Sequence, residues 1–401
     1  LAKSATETGL TDMNEYFADF HIHIGRSYLG RAVKITASNQ LTFSNIIEEA
    51  SERKGLDLIG IIDMHSPEVL EEVDLLIREG VVQELTEGGL RYKQTTVIMG
   101  CEVEVRFEAF GCSAHFLVYC PTLTEMKAFS AWLATKVTNP HLSTQRLYAS
   151  MEELQEQVQL RQAVLIPAHI FTPFKSVYGN CSDSIQKLLD LSQVPAVELG
   201  LSSDTEMADR LSELTDQSFV TNSDAHSLAK IGREYQKMRM KACNFKEWKM
   251  ALWRQEGRQI VANYGLQPKL GKYHLTRCAA CSELVSETAG ERCPDCGHPQ
   301  LIQGVFNRLQ VIADRPAPLH PAHRPPYIHQ VPLEFIPKLG PKTMERLLGQ
   351  FQTEMNVLHE ATEQQLADVV GAALAAAIIK NRQGQMRIAS GGGGRYGKVL
   401  E

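Results

Sequence analysis

Short apolar runs recur along the first two-thirds of the chain, and each stops abruptly at charged or imidazole side chains. Residues 16–20 lead into His21 and His23, and residues 56–62 into Asp63 and His65. Residues 95–101 lead into Glu102 and Glu104, 163–168 into His169, and 218–222 into Asp224 and His226. The runs are too short for a helical period and read as buried strands. Between them, the stretches 44–54, 67–79, 123–138, 150–161, 184–192 and 204–214 have the mixed spacing of amphipathic helices. This alternation predicts a parallel α/β sheet or barrel. In such folds functional groups gather at the carboxyl ends of the strands.

The pattern changes after Gly265. A helical stretch at 245–256 closes a domain spanning residues 1–265, and a four-cysteine module follows at 266–310. Residues 311–330 are rich in proline and read as a stiff linker. Residues 331–390 hold helical pairs over 341–351 and 363–381, and 391–401 form a glycine-rich basic tail. With 401 residues, more than one domain is expected.

Composition adds limits. Hydrophobic residues are 43% of the chain, enough for a sizeable core. No run approaches the roughly 20 apolar residues of a membrane helix. Residues 1–15 are polar, with no signal-peptide core, so a cytoplasmic protein is expected. Residues 271–401 hold 14 basic and 12 acidic side chains, and the remainder 27 and 35, so a net +2 follows a net −8. An acidic first part suits a site built from metal-binding carboxylates, but it equally suits an ordinary acidic domain.

Spacing carries the chemistry. Residues two apart on a strand share a face, which pairs His21 with His23, Asp63 with His65, Glu102 with Glu104 and Asp224 with His226. His115 and His169 add single imidazoles. Mixed nitrogen and carboxylate ligands suit zinc or manganese, and so many of them imply more than one ion. A multinuclear centre can activate water and neutralise a phosphoryl group. Cys278/Cys281 and Cys293/Cys296 form two CxxC pairs separated by eleven residues, the spacing of a closed structural zinc site. The other cysteines (Cys101, Cys112, Cys120, Cys181 and Cys243) are expected to be reduced thiols. Near the end, Lys338-Leu339-Gly340-Pro341-Lys342 and Val370-Gly371-Ala372 each precede a helix. These segments resemble tandem helix-hairpin-helix motifs, whose helix-start N–H groups face DNA phosphates.

The order His-x-His, Asp-x-His, Gly100-x-Glu102, His115, His169, Asp-x-His resembles the polymerase-and-histidinol-phosphatase (PHP) superfamily over about residues 17–265. The resemblance implies a distorted (β/α)7 barrel holding two or three divalent metals (zinc, manganese or magnesium). One metal would take His21, His23, Glu102 and Asp224. A second would share Glu102 and add His115 and His169. A third would take His65 and His226, although no histidine lies between Ile24 and Met64 to complete it. Asp63 would orient a ligand rather than bind metal. Glu102, Asp224 and His226 would carry the catalysis, with Asp224 or His226 assisting proton transfer.

With the zinc module and the helical region included, the chain resembles the endonuclease Q family. That implies nicking of double-stranded DNA 5′ to uracil, hypoxanthine, xanthine or an abasic site. Metal-activated water would leave a 3′-hydroxyl and a 5′-phosphate, with the damaged nucleotide extruded. The segment after His169 then offers Phe171, Phe174, Lys175 and Tyr178 to the base. Lys338, Gly340, Lys342 and Gly371 offer contacts to the DNA backbone. The alternative is a small-molecule phosphatase of the histidinol-phosphatase type, which leaves the modules after residue 265 unexplained.

Overall fold

The computed structural model describes residues 13–285, 292–389 and 397–400. The fold is α/β, as the alternating pattern predicts. Its principal strands are β1 (Asn14–Ile22), β2 (Leu58–Ile61), β3 (Thr95–Phe107), β4 (Cys112–Cys120), β5 (Val164–Pro167), β6 (Ala196–Glu198), β7 (Ser218–Val220), β8 (Tyr235–Met240) and β9 (Gln259–Gly265). β1, β2 and β3 pair in parallel, as do β6 and β7. A parallel bridge between Ile22 and Ala225 brings the segment after β7 back to β1.

The all-parallel expectation fails at β4, which lies antiparallel between β3 and β5. β3 runs for 13 residues, long enough to continue into a hairpin with β4 after Glu102. β8 and β9 extend the sheet antiparallel beyond β1. Both faces of the strands are covered, which explains their unbroken apolar runs. Ile59 and Ile61 enter one buried cluster, while Leu58 enters another beneath Trp248.

Helices form at Pro67–Arg78, Leu123–Ala134 and Met151–Leu160. Ser150 starts the last by accepting from Glu153 N at 3.1 Å. The helix predicted over 44–54 is α-helical at Phe43–Glu48 and continues as a π-helix at Glu49–Lys54. The one predicted at 184–192 is instead two 3-10 turns, Ile185–Lys187 and Leu191–Gln193. At 204–214 only Thr205–Ala208 is α-helical, followed by a 3-10 turn at Ser212–Leu214.

The proline-rich segment is a strap laid on the barrel, not a free spacer. Tyr327–His329 adds as a parallel edge strand to β9. Arg324 is buried against Asp209, with its guanidinium 3.4 Å from the Phe219 ring centre. A further correction concerns the thiols: Cys112 and Cys181 form a disulfide. It ties β4 to the loop after His169, a contact between positions 69 residues apart that strand spacing could not reveal.

In the helical region, Pro341–Phe351 forms as predicted. The stretch 363–381 splits into Glu363–Val370 and Ala372–Arg382. Gly371 divides them with φ of +86°, a backbone conformation that disfavours any side chain. This region docks on the barrel. Lys54 pairs with Glu354 at 2.8 Å, and His359 stacks on Phe17 with ring centres 4.3 Å apart. Of the predicted tail, residues 391–396 and 401 lie outside the described ones, while Lys398–Leu400 pairs with Arg387–Ala389. Among the described residues no helix is long and apolar enough to cross a membrane.

Candidate active site

Three overlapping ligand groups come together, some from strand ends and some from within strands: His21 with His23 and Glu102, His23 with Asp224 and His226, and Glu102 with His115 and His169. Within each group the ligand atoms fall within 4.8 Å of one another. β1 carries His21, with His23 just past its end, β3 carries Glu102 and β4 His115, while His169, Asp224 and His226 follow β5 and β7. Glu102 Oε1 lies 3.7 Å from His21 Nε2, 3.1 Å from His115 Nδ1 and 3.7 Å from His169 Nε2. Its other oxygen is 3.6 Å from His23 Nε2. Asp224 Oδ1 reaches both first histidines, at 3.4 and 3.6 Å. His169 and Asp224 have φ of +30° and +46°. Gly200, just after β6, makes room for the first: a Cβ there would meet His169 Cβ at 2.9 Å.

The donor set fits divalent metal. His21 Nε2 and His115 Nδ1 are buried, face this cluster and have no hydrogen-bond partner. Metal ligation would satisfy them both. The opposite nitrogen of His21 is held by Glu198, at 2.9 and 3.1 Å. That of His23 is held by Asp63 at 3.0 Å. Carboxylates behind ligating histidines fix tautomer and ring orientation, so Asp63 occupies the orienting position expected for it.

Charge follows geometry. Burial alone would raise Glu102 and Asp224, but the surrounding lysine and imidazoles hold both well below the usual carboxylate range. Burial would lower His21, yet Glu198, Asp224 and Glu102 lift it to about 10. A bound cation would neutralise the same excess of negative charge. His226 is held down to about 4, mainly by burial.

Two predicted placements need correction. His65 joins none of the ligand groups among the described residues. Its Nε2 lies 3.2 Å from the Leu142 carbonyl, and His226 turns to His23 and Asp224 instead. The base pocket also divides. Phe171 and Tyr178 are core residues stacked on each other at 5.3 Å, with the Tyr178 hydroxyl on Glu213. The stretch turns back into the core through the π-helix Val177–Cys181. Phe174 and Lys175 do line the cavity above the ligands, which has a volume of about 730 Å³. Phe174 meets Tyr273 edge to face at 5.7 Å, and Lys175 pairs with Glu104 at 2.7 Å. Lys34, Lys230, Arg233 and Lys272 make the remaining walls basic.

The sequence reading missed Glu198, Lys34 and Tyr273. Glu198 ends a short apolar run and could have been found by the same rule as Glu102. Lys34 and Tyr273 lie in loops and carry no periodic signal.

The four cysteines converge, with Cys278 Sγ 3.5 Å from Cys296 Sγ and Cys281 Sγ 3.6 Å from Cys293 Sγ. Gly340 and Gly371 stand at the N-termini of Pro341–Phe351 and Ala372–Arg382, and both are exposed. Lys338 and Gly371 line one groove of about 990 Å³ together with Arg346, Lys380 and Arg387. Gly340 and Lys342 are not among its lining residues, and Lys342 is exposed on the first turn of its helix.

No family model matches the chain. It is 49% identical over 390 residues to the uncharacterized protein YqxK of Bacillus subtilis, covering 96% of this chain and all of that one. The lesion-specific endonuclease PfuEndoQ of Pyrococcus furiosus superposes with a TM-score of 0.82 at 31% identity, over 96% of this chain and 95% of that one. An endonuclease Q complexed with a 27-mer duplex bearing an abasic lesion at its active site gives a TM-score of 0.82 at 30% identity, over 96% of each chain. The likeness thus spans the barrel, the four-cysteine module and the helical region together, and the chain belongs to the endonuclease Q family.

Proposed function

We propose that this chain is a DNA-repair endonuclease. It nicks duplex DNA 5′ to deaminated bases (uracil, hypoxanthine or xanthine) and to abasic sites, leaving a 3′-hydroxyl and a 5′-phosphate. Family membership makes it a metal-dependent nuclease or phosphodiesterase. The observation that supports a phosphoester substrate is the sharing of Glu102 between ligand groups at the floor of a basic cavity, and the lesion set follows the likeness to the endonuclease Q structures. That arrangement suits a phosphodiester better than a neutral substrate.

His21, His23, Glu102 and Asp224 would hold one ion, and Glu102, His115 and His169 another. When bound, divalent zinc, manganese or magnesium would acidify a water and offset charge on the phosphoryl group. The chain does the positioning. Glu198 and Asp63 lock the imidazoles, and the basic walls draw in the backbone. Phe174 and Tyr273 present aromatic faces to an extruded nucleotide. Asp224 and His226, 3.5 Å apart at the edge of the site, would be the groups to assist proton transfer. Zinc in the four-cysteine cluster would staple a module whose described buried apolar residues are few. Lys338, Gly340, Lys342 and Gly371 would hold the duplex by its phosphates, giving salt-sensitive affinity.

The test is incubation with metal of labelled duplexes carrying one uracil, one hypoxanthine or one abasic site, beside an undamaged control and an Asp224→Ala variant. A single nick 5′ of the lesion, lost in the variant, is expected. Turnover of a small phosphate monoester with no cleavage of any duplex would overturn the reading in favour of a small-molecule phosphatase.

A further inference from the structure

One cation is built into the ligand cluster itself. Lys34 comes from the loop after β1, and its side chain is only 15% exposed. Its ammonium lies 3.2 Å from Glu102 Oε2 and 2.5 Å from Thr144 Oγ1, whose hydroxyl donates to the same Glu102 oxygen. The backbone holds the loop in place on either side. Lys34 N donates to Ile24 O at 2.8 Å, Val33 N to Gly25 O at 2.9 Å, and Ser143 N to Val33 O at 2.9 Å. The next residue, Ile35, is 75% exposed, so the loop turns its lysine in and its apolar side chain out. Burying an ammonium costs several kcal/mol unless it is paired. Lys34 also lines the cavity, beside His23, Asp224 and His226.

The number of ions the cluster can take follows from its nitrogens. His23 belongs to two of the three ligand groups. Its Nδ1 is committed to Asp63, so Nε2 is its one nitrogen for metal, and a neutral imidazole nitrogen binds one ion. The two groups that share His23 therefore cannot both use it and are taken together as one ion, with the group around His115 and His169 as a second. Among the described residues His65 joins no ligand group, so it supplies no third.

We propose that the barrel holds two ions and that the Lys34 ammonium is the third positive charge of the centre, binding a non-bridging oxygen of the scissile phosphate. This rests on reading the barrel as a phosphodiesterase. An ammonium has three N–H donors. Glu102 and Thr144 engage two, and the third is available to a phosphate in the cavity. A lysine is a compact point charge suited to one oxygen. Unlike a metal, it cannot be lost to a chelator.

The experiment uses the full chain reconstituted with zinc, as wild type and as Lys34→Met and Lys34→Arg. Metal content and the affinity for inorganic phosphate are read alongside nicking. Wild type and Lys34→Met should each carry two barrel ions and one at the four cysteines. Lys34→Met should lose about tenfold in phosphate affinity and about 100-fold in single-turnover nicking, with Lys34→Arg recovering part of both. A third barrel ion in the wild type would overturn the proposal. So would Lys34→Met binding phosphate like the wild type, or a metal content that changes with the substitution. The latter would make Lys34 a support for Glu102 only. Metal content and phosphate affinity need no DNA. Wild-type protein that fails to nick any lesion while both hold refutes the assigned substrate and leaves the role of Lys34 standing.

Discussion

Replacing Glu198 with glutamine probes how far the centre depends on a carboxylate that never needs to touch metal. Glu198 is 1% exposed. Its oxygens accept from His21 Nδ1 at 2.9 and 3.1 Å, from the His169 amide at 2.8 Å and from Asn222 Nδ2 at 2.8 Å. Truncation to alanine would orphan three buried donors, at about 1–3 kcal/mol each. Their sum approaches the whole stability of a typical domain, about 5–15 kcal/mol, so that variant would report unfolding only. Glutamine keeps the shape and one accepting oxygen. Its amide must oppose at least one donor, at about 1–3 kcal/mol of stability. It also removes the negative charge that makes His21 a stronger ligand. Loss of such an orienting partner weakens metal binding by about 10–100-fold, or about 1.4–2.7 kcal/mol. The assay is competition for zinc against a chelating dye, with thermal melting of the metal-free protein to show that the variant folds. A folded Glu198→Gln variant that binds zinc within twofold of wild type would refute the reasoning and make Glu198 a space-filling residue.

Three further outcomes are expected. Burial, with help from Glu198 and Asp19, pushes Glu234 up to about 8. Its folded value exceeds its unfolded one, so the stability it contributes is whole below about pH 4.5 and falls as pH rises to about 8. Relative to wild type, Glu234→Gln should therefore gain urea stability across that window; a difference that does not vary with pH would count against the burial argument. Of nine cysteines, seven are free, so thiol titration of denatured, unreduced, chelator-treated protein should find seven. Finding nine would exclude the Cys112–Cys181 bond, which in a chain-entropy estimate adds about 4 kcal/mol by closing its long loop. Cys278→Ser should lower zinc content by one ion and expose the segment around residues 277–302 to protease while the barrel persists; unchanged protease resistance would show that the module folds without metal.

The chemistry of this protein is legible because strand ends carry it. Apolar runs that stop at His21, Glu102, Asp224 and His226 announce both the strand and the group beside it, since a buried ionisable group on a strand costs free energy unless a partner or a metal compensates it. The two CxxC pairs are legible for a similar reason: four thiolates converge through local turns, and local turns depend on local sequence. The third metal site fails because pair spacing fixes only the face on which His65 lies. Whether its ring reaches the cluster depends on the segment around Leu142, which arrives from elsewhere in the chain. Phe171 and Tyr178 were misplaced because a loop after a strand can turn over the site or back into the core, and the Cys112–Cys181 bond and the π-helix at Val177–Cys181 take it back. Glu198, Lys34 and the docking of the proline-rich strap likewise depend on partners distant in sequence. The sequence by itself determined which groups stand at the mouth of the barrel. Tertiary structure decided which of them meet, because register and loop closure are settled by packing between segments that no local pattern records.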